Sequence, residues 1–116
     1  MNLNTIHNIY FVGIGGIGMS AIARYFKANG KNVAGYDKTQ TEITDALVDL
    51  GIAVHFEDSV ANVGMRFLNP ETTLVVYTPA IPKDHKELAY FENNRYTVLK
   101  RSEILGIITK NTFCLA

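Results

Sequence analysis

The chain has 116 residues, 47% of them apolar, which suits one domain with one core, and its eleven basic and eleven acidic side chains cancel. No broad basic field invites nucleic acid, although a local anion site needs only oriented amides. The single cysteine, Cys114, excludes an intrachain disulfide and reads as a small buried hydrophobe, while no apolar run suits membrane insertion and Met1 to Tyr10 lacks the form of a secretory signal, which together predict a cytoplasmic protein.

Ile9 to Val12 is a continuous apolar run that stops at glycine, the pattern of a strand buried on both faces. A helix follows over Ile17 to Asn29, with Ile17, Ala21, Ile22, Tyr25 and Phe26 at helical spacing and Asn29-Gly30 as its stop. A second strand over Asn32 to Tyr36 ends at Asp37. Thr39 and Glu42 then have capping-box spacing, which predicts a helix with Ile43, Ala46, Leu47 and Leu50 toward the core and Gly51 at its end. Ile52 to Phe56 reads as a third strand, with a short helix around Ser59 to Val63. Thr73 to Tyr77 is a strong fourth strand, and the two prolines of Thr78 to Lys83 require a loop. Asp84 and Glu87 repeat the capping-box spacing before a helix to about Asn93. A short strand over Thr97 to Leu99, a helix over Arg101 to Thr109 and a sixth strand over Thr112 to Ala116 complete the chain, and its stop inside an apolar run suggests a truncation. Such alternation predicts an α/β fold: a doubly wound, mostly parallel sheet of Rossmann-like order 3-2-1-4-5-6, with helices on both faces.

Gly13-Ile14-Gly15-Gly16-Ile17-Gly18 matches G-x-G-x-x-G between a strand and a helix. In that context Gly13 permits the tight turn, Gly15 a close approach to ligand, and Gly18 close packing of helix on sheet. The helix start offers free amides and a positive dipole end to a diphosphate. Asp37, 19 positions after Gly18 (37 − 18), suits a ribose or base. The loop Thr78-Pro79-Ala80-Ile81 should face the glycine turn across the crevice at the switch between the first and fourth strands. Lys38 and Arg101 are candidate phosphate or ribose contacts. The three histidines, His7, His55 and His85, form no metal-like pair and read as surface or strand positions. Neither a nucleophile elbow nor a metal cluster is present, and the phosphate-gripping G-x-x-x-x-G-K-[ST] is absent too. By spacing alone the ligand is a nucleotide diphosphate, with NAD the default.

The run Gly13 to Ala23, together with Gly35-Tyr36-Asp37, Leu50-Gly51, Thr78 to Ile81 and Arg101 to Leu105, resembles the N-terminal part of the Mur ligase family, in its branch that adds L-alanine. The likeness spans essentially the whole chain. The related branch that recycles tripeptide usually carries Cys and Phe in its glycine loop. The resemblance implies an enzyme, an amide-bond-forming ligase of peptidoglycan synthesis, with three domains. The first, residues 1–116 here, holds the UDP part of UDP-N-acetylmuramic acid. The second carries an ATP-binding P-loop, and the third helps to bind the amino acid. The whole enzyme uses ATP and Mg2+ to form an acyl phosphate that L-alanine attacks. The chain alone is expected to bind UDP without a catalytic residue, cofactor or metal of its own. The resemblance places Gly13, Gly15, Gly16, Ile17, Gly18, Met19 and Ser20 on the diphosphate and nearby ribose. Asp37, Lys38 and Thr39 fall near uracil and its ribose; Thr78, Pro79, Ala80 and Ile81 lie opposite, with Arg101 as a further contact. Many members carry a histidine where this chain has Asp58, so any uridine contact made there must differ. Two alternatives share the glycine loop and Asp37: an NAD-binding domain or sensor module, and a scaffold that has lost its ligand.

Overall fold

The computed structural model describes residues 5–79, 81 and 84–111. Five strands form an all-parallel sheet: β1 (Asn8–Val12), β2 (Asn32–Tyr36), β3 (Ala53–His55), β4 (Thr73–Tyr77) and β5 (Thr97–Lys100), in spatial order β3-β2-β1-β4-β5. The predicted order holds for these five, and the predicted sixth strand and Cys114 lie outside the described residues. β1 is buried along its whole length because it pairs with β2 on one side and β4 on the other.

Successive residues of a strand point to opposite faces, which divides the core in two. Ile9, Phe11, Leu74 and Val76 pack with Met19, Ile22 and Phe26 of α1 (Ile17–Ala28), Leu47 of α2 (Glu42–Asp49) and Ile104 of α4 (Arg101–Asn111). Tyr10, Val12 and Val75 face the other way, toward Val63, Phe67 and Tyr96 and toward Phe91 of α3 (Lys86–Asn93). On that side the connection from β3 to β4 crosses in two short 3-10 turns, Val60–Asn62 and Met65–Leu68, where the sequence predicts one short helix. The Tyr10 ring meets Phe91 at 5.1 Å and Phe67 at 5.8 Å, tilted or edge-on as ring quadrupoles prefer.

The helices begin and face otherwise than the spacing predicts. Thr41, not Thr39, caps α2: its side chain accepts from the Thr44 amide while the Thr44 hydroxyl accepts from the Thr41 amide at 2.8 Å. Thr39 is excluded because its own amide is turned to Asp37 Oδ1, at 3.1 Å. The buried face also differs: Leu47 and Thr44 are buried while Ala46 and Leu50 are exposed and Ile43 is half-buried. In α1 the buried stripe is Met19, Ile22, Ala23 and Phe26. Ile17 is 81% exposed although Met19 and Ser20 of the same turn are buried. His85, not Asp84, caps α3, with its side chain accepting from the Leu88 amide. Gly30 and Gly51 do stop their helices, at φ of 80° and 89°. Among the described residues, no helix is long and apolar enough to cross a membrane.

Replacing Thr41 by alanine should cost about 1 kcal/mol, read as a fall in melting temperature of roughly 4–8 °C. Thr39→Ala should leave the melt nearly unchanged. The reverse ranking would return the helix start to Thr39.

Candidate functional site

The turn after β1 is shaped by its neighbours. Gly13 has φ +93°, and the Gly13 and Ile14 amides both donate to the Tyr36 carbonyl, at 2.8 and 2.9 Å. A Cβ on Gly13 would lie 2.4 Å from Thr78 Cγ2, so the turn is pressed against the residue that follows β4. Gly15, which lines the crevice, also has a purpose the sequence did not reveal. Its amide donates to Asp37 Oδ2 at 2.7 Å, and a Cβ there would meet that carboxylate at 2.7 Å and Thr44 Cγ2 at 3.0 Å, not the open crevice. Gly18 also differs from expectation: a Cβ would strike the Arg101 guanidinium, 2.8 Å from Nη1, so this glycine makes room for a cation from α4 rather than for the sheet.

Above the carboxyl ends of the strands lies a crevice of about 680 Å3. It is lined by Gly13, Gly15, Gly16, Ile17, Gly18 and Met19 from the glycine turn and α1. Asp37, Lys38, Thr78, Ile81 and Arg101 complete the predicted part of the lining. Of the other residues predicted here, Ser20 is buried with its hydroxyl donating to the Ile17 carbonyl, Thr39 is not in the lining, and Pro79 lines a separate shallow groove with Leu88 and Glu92. Ala80 lies outside the described residues. Tyr36 and His85 escaped the sequence reading, and Asp58, noted there only as a departure from the family pattern, also lines the crevice.

The first turn of an α-helix has amides without intrahelical acceptors. No side chain caps α1 and its first turn carries no acidic residue, so its free amides face the crevice, with the Asp37 carboxylate beside them on the Gly15 amide. Arg101 lies across the same turn. The opposite wall is acidic. Asp58 accepts from the Lys86 and Glu87 amides at 2.8 and 3.0 Å and lies 3.2 Å from His85 Nδ1, so it neutralises the start of α3 from outside that helix. Burial, followed by the charges of Asp58, Glu87 and Asp37, raises the Tyr36 hydroxyl above its ordinary value, which keeps it a neutral donor.

Behind this wall Glu87 is fully buried. It accepts from the Tyr10 hydroxyl at 2.5 Å, from the Ser59 amide at 3.1 Å and from His55 Nε2 at 2.8 Å. Burial and then the Glu87 charge hold the Tyr10 proton on oxygen, so Tyr10 donates to Glu87. His55 Nε2, 2.9 Å from the same hydroxyl oxygen, must then carry the proton it shares with both partners. Thus Glu87 is no capping-box residue; His55 keeps the predicted strand position at the end of β3 and His7 the predicted surface position, while His85 is buried at the start of α3. His85 Nε2 is buried and makes no hydrogen bond.

Glu87→Ala would strand one buried and two half-buried donors and should destabilise the chain by on the order of 3 kcal/mol, seen as a lower urea midpoint. A loss below about 1 kcal/mol would mean that the cluster does not hold the wall together.

Residues 8–112 match the family model described as Mur ligase family, catalytic domain. The chain is 60% identical over 116 residues to the UDP-N-acetylmuramate–L-alanine ligase of Flavobacterium psychrophilum and 56% identical over 110 residues to that of Cytophaga hutchinsonii. These matches cover 100% and 95% of this chain but 26% and 24% of those relatives, so the chain spans about a quarter of their length. The crystal structure of UDP-N-acetylmuramate–alanine ligase from Thermotoga maritima superposes with a TM-score of 0.80 at 35% identity, over 90% of this chain and 23% of that one. A UDP-N-acetylmuramate:L-alanyl-γ-D-glutamyl-meso-diaminopimelate ligase from Neisseria meningitides shares the fold at TM-score 0.73 and 19% identity, over 92% of this chain and 31% of that one. A glycine turn at the switch point of a parallel sheet, an uncapped α1 beside Arg101, and a family match across nearly the whole chain converge: this protein belongs to the Mur ligase family.

Proposed function

We propose that this chain is the nucleotide-recognition domain of a cytoplasmic ligase that joins L-alanine to UDP-N-acetylmuramic acid in peptidoglycan synthesis, and that its crevice holds the UDP part of that substrate. The observation that carries the reading is the uncapped start of α1 with the Arg101 guanidinium laid across Gly18. An anion placed there meets free amides, a positive dipole end and a fork of guanidinium donors at once. Asp37 suits the neutral hydroxyls of the ribose, because a phosphate would be repelled by it.

In this reading the chemistry lies outside this chain. Among the described residues no group of three or more His, Cys, Asp or Glu side chains could hold a metal ion. The sequence also lacks the phosphate-gripping G-x-x-x-x-G-K-[ST]. In this reading ATP, Mg2+ and the site for L-alanine belong to the part of the ligase that the longer relatives possess beyond this match. The 116-residue chain binds the nucleotide and does not catalyse.

Calorimetric titration with UDP-N-acetylmuramic acid, and with NAD in a parallel cell, tests the assignment. Heat with the UDP-sugar alone is the expected result, and binding of NAD alone would overturn it. Arg101→Met should weaken UDP binding by about tenfold through loss of a charge-assisted contact. Asp37→Ala should weaken it by about 1–3 kcal/mol, since the carboxylate both positions Gly15 and faces the ribose. Unchanged affinity in both variants would move the nucleotide out of this crevice.

A further inference from the structure

We propose that Asp58 reads the base of the nucleotide, accepting the ring N–H of uracil and so favouring uracil over cytosine. This rests on the UDP reading of the crevice and adds to it the residue that recognises the base. Asp58 shares the crevice with Tyr36, Asp37 and Lys38. β2 and β3 end together there, with the Asp37 amide donating to the His55 carbonyl at 3.1 Å, and Asp58 follows three positions after His55 (58 − 55). The two ends of the crevice differ in kind. Free helix amides and Arg101 favour phosphate at one end. Carboxylates at the other repel phosphate and suit the neutral donors of a nucleoside, namely the ribose hydroxyls and a base N–H. A nucleotide with its diphosphate on α1 and its ribose at Asp37 therefore brings its base to Asp58.

The carboxylate is fixed before any ligand arrives. Its Oδ2 and Oδ1 accept from the Lys86 and Glu87 amides at 2.8 and 3.0 Å, yet its side chain stays 27% exposed. An ionised carboxylate offers about four acceptor positions and no donor, so with two amides and His85 Nδ1, 3.2 Å from Oδ1, accounted for, one position remains. Uracil presents a ring N–H between two carbonyls. Cytosine presents an unprotonated ring nitrogen at that position, and an acceptor held against it is repulsive. Preorganisation is what gives the contact its selectivity, since a carboxylate tied to two backbone amides cannot swing away from the wrong base.

The test is titration of the 116-residue chain with UDP, with UDP methylated at the uracil ring nitrogen, and with CDP. UDP should bind, and the methylated analogue and CDP should each bind about tenfold more weakly or worse. In Asp58→Ala, and in Asp58→Ser, whose hydroxyl still caps α3, the gap between UDP and the methylated analogue should close to within about threefold. In the unmutated chain the Asp58 carboxyl carbon resonance should shift on adding UDP and stay put with the methylated analogue, a reading that needs no variant to fold. Equal binding of UDP and its methylated analogue by the parent chain would overturn the role of Asp58 while leaving the UDP site intact. So would a gap that survives in folded variants, or an unmoved carboxyl resonance. Failure to bind UDP at all would remove both readings.

Discussion

Everything above the sheet depends on how little room is left at the end of β1. The central strand is hydrogen-bonded on both sides, and the chain must leave it between β2 and β4 without breaking either ladder. It does so by handing the Gly13 and Ile14 amides to one carbonyl, that of Tyr36, while the Thr78 amide takes the Val12 carbonyl at 3.2 Å. Nothing larger than hydrogen fits at the two closest approaches. A Cβ on Gly13 would meet Thr78, and one on Gly35 would sit 2.7 Å from the Phe11 carbonyl oxygen and 2.8 Å from Ile14 Cδ1. Gly35 is therefore as much a part of the glycine turn as the residues within the motif, although it stands on a different strand. The consequence is positional: α1 starts at the midpoint of the sheet edge, with its amides toward the gap where the winding reverses.

The electrostatics of the crevice follow from which charges the protein satisfies itself. Asp37 is held by two amides, Asp58 by two, and Glu87 by an amide and two side chains. Each of these anions is spent on shaping a wall. Arg101, by contrast, reaches over the first turn of α1, where a second positive feature already stands. A cation placed on a positive dipole end is unfavourable until an anion joins them. A chain with no net charge thus gathers two positive features at one spot, with Asp37 beside them and Asp58 and Glu87 on the opposite wall.

The fold was legible because its signals are local. Continuous apolar runs ending at glycine, helical spacing between them, and G-x-G-x-x-G at one such boundary give a parallel sheet and the place of its crevice without any long-range information. The errors at Glu87 and Asp58 come from side chains that serve distant segments, whereas the one at Thr39 is local. Thr39 and Glu42 have the spacing of a capping box, but Asp37 claims the Thr39 amide and the helix starts later. Glu87 has that spacing too, yet its carboxylate goes to Tyr10, 77 positions away, and to His55. Asp58 caps a helix to which it does not belong, across 28 and 29 positions. Nothing within three or four residues of these side chains announces such partners. The exposed Ile17 failed differently: helical periodicity assumes that apolar positions are covered, and Ile17 faces the crevice while Met19 and Ser20 of the same turn are buried.

The buried Glu87 cluster shows why such distant pairings persist. Removing a carboxylate from water costs several kcal/mol, and even good hydrogen bonds return little net stability compared with well-packed apolar groups. What the cluster supplies is register. Glu87 accepts from β1 through Tyr10, from the end of β3 through His55, and from the following loop through the Ser59 amide, so one side chain fixes three segments relative to α3. An apolar residue there could fill the space, but it would not specify which residue of the 57–59 loop meets the start of α3. Because Asp58 stands between His55 and Ser59 on one side and the Lys86 and Glu87 amides on the other, its placement in the crevice is set by the same contacts. The polar cluster beneath the wall and the acceptor on its surface are parts of one construction, and the cost of burying the first is the condition for the rigidity of the second.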